Sequence, residues 1–81
     1  MNLTDFEDRH PATLHLLQYF NYQHLPPYLA AISRIAAETA EGMVRNLPDG
    51  PELTAGLRKL LEAKDCFVRA ALEVAQGGEK L

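Results

Sequence analysis

The fold turns on LPDGP, residues 47–51. Asp49-Gly50 is a turn dipeptide, and Pro51 sits where a helix can begin, because its missing N–H would go unpaired there anyway. Long helix-forming segments flank the turn: PYLAAISRIAAETAEGMVRNL (27–47) before it and PELTAGLRKLLEAKDCFVRAALEVA (51–75) after it. So short a connection predicts that the two long helices run antiparallel.

In the first long helix, Leu29, Ile32, Ala36, Thr39, Met43 and Leu47 fall at helical spacing and are expected to form one apolar stripe. Five alanines favour the helix and keep its flank small. Gly42 costs about 1 kcal/mol relative to alanine inside a helix, which reads as a point of close helix packing or, as the other option, a hinge. In the second long helix, Glu52 complements the helix dipole in the first turn. Leu53, Leu57, Leu60, Phe67, Ala71 and Val74 form one stripe, with Leu61, Val68 and Leu72 beside it, and Gly77-Gly78 ends the helix. That helix carries more apolar width than one partner covers. Either a short N-terminal helix covers the excess, or another copy of the chain does, or both.

Upstream of these helices, Pro11 opens a short helix in which Leu14, Leu17 and Phe20 lie three apart. The adjacent prolines Pro26 and Pro27 push the preceding backbone toward extended conformations. The expected organisation is a single all-α domain over 1–81. It comprises an N-terminal arm (1–10), a short helix (11–19), an aromatic junction (20–26), a helix (27–47), a turn (48–51), a helix (52–76) and a frayed tail (77–81). Strand signals, internal repeats and low-complexity tracts are absent.

Composition narrows the function. The chain has 81 residues, with 11 acidic against 8 basic side chains and a net charge of −3. A domain this short buries only roughly 60% of its unfolded surface, so it needs idealised helices, staples or company. One cysteine cannot form an internal disulfide, and Cys66 with scattered histidines makes no structural zinc site. Self-association is left as the remedy. A pI near 5.5 argues against DNA as partner. The first ten residues lack the basic-then-apolar pattern of a signal peptide, and no apolar run approaches the ~20 residues of a membrane helix. These features point to a soluble, cytosolic chain with no membrane partner.

Catalytic constellations are thin. His10, His15 and His24 stand in no metal-binding spacing, no glycine-rich phosphate loop appears, and Cys66 within DCFV reads as a buried structural cysteine. The expectation is a non-enzyme with no cofactor and no metal. One cluster stands out: Tyr19, Phe20, Tyr22, His24 and Tyr28, flanked by Pro26-Pro27, with Arg34 two helical turns further on. Ring faces beside a guanidinium suit a base-plus-phosphate ligand. The same aromatics could instead seal the end of the helical hairpin.

In order and spacing, these elements resemble the phage anti-CBASS cyclic-oligonucleotide sponges, the family of the anti-CBASS and Thoeris anti-defence hairpin domain. The matching residues are Phe20-Asn21-Tyr22, His24-Leu25-Pro26-Pro27, Ile32-Ser33-Arg34, the turn Leu47-Pro48-Asp49-Gly50, and Leu57-Arg58-Lys59-Leu60-Leu61-Glu62-Ala63, spanning about residues 20–72. The family's basic residue falls on Arg34 after a one-residue shift from Ser33. Asp65-Cys66 replaces its usual Met-Trp, and residues 1–19 lie outside the common pattern. The resemblance implies a helical hairpin that assembles as a homo-oligomer, a hexamer in studied members. It implies sequestration of cyclic dinucleotides in the host cytoplasm, blocking CBASS signalling, with cyclic trinucleotides as a second ligand class. Tyr22 would stack on a base and Arg34 would contact phosphate, with Phe20, His24 and Pro26 around them; Arg58 or Lys59 would serve a second site. The rival reading is a helical protein–protein interaction module of a phage with no small ligand.

Overall fold

The computed structural model describes residues 3–77, and all of its regular structure is helical. A short 3-10 helix, Leu3–Phe6, leads to α1 (Pro11–Leu17), which tightens into a 3-10 turn at Gln18–Phe20. Two long helices follow, α2 (Pro27–Asn46) and α3 (Pro51–Ala75). Each of the three α-helices has proline at its first position, where the ring's fixed φ suits the helix and no donor is lost. The His10 ring caps α1 by accepting the Ala12 N–H at Nδ1, 3.0 Å away. Gly77, at φ +85°, stops α3 in the left-handed conformation that glycine adopts without strain. The rest of the expected tail, 78–81, lies outside the described residues. No described helix is long and apolar enough to cross a membrane.

The core is a seam of small and medium side chains. From α1 and the turn after it come Thr13, Leu16, Leu17 and Phe20, one helical face with Leu17 and Phe20 fully buried. From α2 come Leu29, Ser33, Ala36, Ala37, Ala40 and Val44, and from α3 Leu53 and Leu57, with Leu60 and Leu61 at the edge. The contact between α2 and α3 is the most extensive in the molecule, and α1 packs on both. Burying a side chain of Leu or Phe size contributes about 1.5–3 kcal/mol, so Leu17 and Phe20 anchor α1 to this seam.

Four sequence expectations need correction. Of the stripe expected on α2, only Leu29 and Ala36 are buried. Thr39, Met43 and Leu47 are exposed and Ile32 is half-buried, while Ser33, Ala37, Ala40 and Val44 take the inner positions. The alanines let neighbouring helices approach closely, and the bulkier residues are displaced to the flank. Gly42 is not a close-packing site: a Cβ added there meets nothing within 4 Å. Cys66 is exposed rather than buried. On α3, Phe67 and Val74, expected in the first stripe, are 63% and 49% exposed. The short N-terminal helix therefore covers only part of that helix's apolar width.

The described part of the N-terminal arm, residues 3–10, is built into the fold. Phe6 is buried, and the Arg45 guanidinium lies 4.7 Å from its ring centroid. Arg9 reaches the turn after α2. Its Nε donates to both Asp49 carboxylate oxygens at 3.2 Å, Nη2 to the Leu47 carbonyl at 2.7 Å, and Nη1 to the Val44 carbonyl. The Thr13 hydroxyl and the His10 N–H complete the ring around Asp49, at 2.7 and 3.1 Å. The hydrogen bond from Arg9, then that from Thr13, lower the Asp49 pKa from its ordinary 3.8 to about 2. This clasp serves a chain that has no disulfide: it ties residue 9 to residue 49 and satisfies carbonyls at the C-terminal end of α2.

Candidate functional site

The aromatic junction lies at the start of α2, about 30 Å along that helix from the Asp49 clasp. The change from α to 3-10 winding at Gln18 sorts its rings. Phe20 is turned fully inward and Tyr19 is left half exposed. Tyr19 meets the edge of His15 in a T-shaped contact, with ring centroids 5.4 Å apart. The Tyr19 carbonyl accepts from Lys64 Nζ at 3.1 Å, which fixes the end of α1 to the middle of α3. Beyond it, the Asn21 side chain takes the Gln23 N–H at 3.3 Å, and the Leu25 N–H donates to the Tyr22 carbonyl at 3.1 Å. Pro26 then supplies the first carbonyl of α2, accepting from Leu29 and Ala30.

Tyr22 and Arg34 differ in exposure. Tyr22 is half-buried against the core, and Arg34 stands on the outer face of α2 with a 64% exposed side chain. Glu38, one turn on, accepts from Arg34 Nε at 2.7 Å. That hydrogen bond, then the Glu38 charge, then Tyr22 raise the Arg34 pKa above its ordinary value. The phase of α2 separates the two candidates for the basic position: Ser33 is fully buried, whereas Arg34 faces outward.

The remaining candidates are spread more widely. His24 and Pro26 are exposed beside the junction, and Tyr28 is 48% exposed. Phe20 is closed off in the core, so its ring supports the site from beneath and has no face open to a ligand. Arg58 and Lys59 are exposed on α3 and join no ion pair among the described residues. No group of three or more metal-binding side chains occurs among the described residues.

Two clefts lie elsewhere. An apolar groove of about 490 Å³ runs between Thr39, Met43 and Leu47 on the α2 side and Leu53, Gly56 and Leu60 on α3. A second cleft of about 410 Å³ lies between His10, Thr13, Asp49 and Thr54. Neither is lined by Tyr22 or Arg34. One chain therefore offers a ring and a cation on an open surface. Sequence reasoning missed both the groove and the Asp49 clasp. The signal for the clasp was Arg9, the one basic side chain in the acidic run TDFEDR. Compared with known protein families, curated proteins and solved structures, the chain matches none.

Proposed function

We propose that the chain is a phage anti-defence protein that binds and sequesters cyclic oligonucleotide second messengers in the host cytoplasm. On this reading α2 and α3 form an antiparallel hairpin, and copies of the chain assemble as a homo-oligomer, with a hexamer as the family precedent. Cyclic dinucleotides are the first ligand class. Cyclic trinucleotides are the second, at a separate site that would use Arg58 or Lys59. The protein acts by holding its ligand and performs no chemistry on it.

What supports this reading is a half-buried Tyr22 in the junction before α2 and an exposed Arg34 on the outer face of that helix. A ring face stacks on a base, and a guanidinium donates a fork of hydrogen bonds to phosphate. The openness of that surface supports the assembly part. Small-molecule sites are concave, and a cyclic dinucleotide with two bases and two phosphates suits two copies of one half-site across a symmetric interface. Arg34 must exchange Glu38 for phosphate, and because the ion pair is exposed that exchange is cheap.

Calorimetry against cyclic dinucleotides tests the assignment. Stacking is worth about 1–3 kcal/mol per base, so Tyr22→Ala is expected to weaken binding by roughly 5- to 150-fold. Arg34→Ala removes a charge-assisted contact of about 1.5–3 kcal/mol. Undiminished binding by both variants would refute the site. The apolar groove beside Met43 and Leu47 favours the second reading, a helical interaction module without a small ligand. A thermal-shift panel of cyclic di- and trinucleotides separates the two, since a ligand held by the folded state alone raises Tm; no shift with any member would favour the module.

A further inference from the structure

The outward face of α3 has the pattern of a helix-pairing seam. Gly56, Leu60, Ala63, Phe67, Ala70 and Val74 follow one another at spacings of four and three, the period that keeps a stripe facing a partner helix. Phe67 and Val74 are 63% and 49% exposed, and the other four positions are exposed or half-buried. The adjoining face of α3 carries Leu53 and Leu57 into the core, and Leu60 borders both faces. The seam therefore has no partner within the described chain.

We propose that its occupant is the same seam of a second copy, running antiparallel about a two-fold axis near Cys66. Two features of the sequence fit that pairing. The first is size. In the antiparallel register Gly56 meets the partner's Val74, Leu60 meets the partner's Ala70, and Ala63 meets the partner's Phe67. Each layer sets a large side chain against a small one, the alternation that lets facing helices interdigitate. A Cβ at Gly56 would meet nothing within 4 Å, so the space for the partner's Val74 is present. Gly56 and Leu60 also form the α3 wall of the apolar groove, and Met43 and Leu47 across it close over the end of the incoming helix.

The second feature is charge. Lys59 and Glu73 sit on the same flank of the seam, one position before Leu60 and Val74, and both are exposed. In an antiparallel pair, that flank sets Lys59 against the partner's Glu73 and, by symmetry, Glu73 against the partner's Lys59. In a parallel pair in register, that flank would face the partner's opposite flank, and neither of these ion pairs would form. The register thus selects the antiparallel dimer, with the two copies of Cys66 facing each other at the axis. The seam spans about 27 Å of helix. This inference rests on the assembly part of the proposed function and is independent of the ligand.

Its test is made without any nucleotide. Sedimentation equilibrium of the full chain is expected to show a dimer or an even-numbered assembly built from dimers. Lys59→Glu and Glu73→Lys should each weaken the dimer contact about tenfold, because each change costs two exposed ion pairs; the double swap K59E/E73K should restore it. Phe67→Asp should separate the copies while circular dichroism stays helical, since Phe67 contributes little to the core. A short bis-maleimide should join two copies through Cys66, the chain's sole cysteine. A monomeric wild type, a double swap no better than the singles, or a Cys66 that takes reagent without joining copies would overturn the proposal. Loss of cyclic-dinucleotide binding with the dimer intact would count against the ligand reading alone.

Discussion

Asp49 shows how much one side chain can hold in a small fold. Its pKa is lowered from its ordinary 3.8 to about 2, first by Arg9 and then by Thr13. A carboxyl group that is more acidic folded than unfolded stabilises the native state above its unfolded pKa. That stabilisation fades as pH falls through the folded value. Between about pH 4 and pH 2, a thermal-melt series should therefore show Tm falling more steeply for the wild type than for Asp49→Ala. At neutral pH the variant should melt several degrees lower. Ser33 predicts the opposite sign. Its hydroxyl is buried in α2 with no hydrogen-bond partner among the described residues, and such a group costs about 1–3 kcal/mol by mutational data. Ser33→Ala should keep or raise Tm; a clear drop would mean that the hydroxyl has a partner in solution. Sequence could not announce either residue. The Asp49 clasp joins positions 40 apart, and Asp-Gly already has a sufficient local explanation as a turn.

At the scale of elements, the inner face of α2 is made of alanines, and this sets both its tolerance and its legibility. Ala37 and Ala40 are fully buried, so Ala40→Leu must push helices apart and should cost about 1–3 kcal/mol. Ile35→Ala, at a 65% exposed position, should change stability by less than about 0.5 kcal/mol. Denaturant titration of both variants gives the comparison. The helices themselves could be read from the chain because proline opens each one and Asp49-Gly50 separates the long pair; the observed ends of α2 and α3 fall within one residue of expectation. The inner face is rotated from the stripe that helical spacing predicts, with Ser33, Ala37, Ala40 and Val44 inside. Here close backbone approach won over bulk, and Met43, Leu47 and Ile35 were left outside. The aromatic cluster and the placing of Phe20 three residues after Leu17 could be seen in sequence, but the 3-10 turn at Gln18 that closes Phe20 into the core is signalled by no single residue type.

Over the whole molecule, 43 by 22 by 17 Å, the covered and uncovered surfaces divide unevenly. The half of α2–α3 nearest the turn is packed by α1 and the arm, whereas α3 carries Phe67 and Val74 outward toward its end. Small chains bury a limited share of their surface, and here large apolar side chains stay exposed on both long helices, Ile35 and Met43 on α2 and Phe67 and Val74 on α3. The Arg9 clasp has a kinetic consequence as well. Contacts between α2 and α3 span a short turn, while the arm must close a loop of about 40 residues, an entropic cost met only after the local contacts have formed. Interactions made after the folding barrier slow unfolding without speeding folding. In a stopped-flow chevron, Arg9→Ala should raise the unfolding limb and leave the folding limb in place. The clasp then acts as a latch in time: its strength sets how long the native chain survives, not how quickly it is reached.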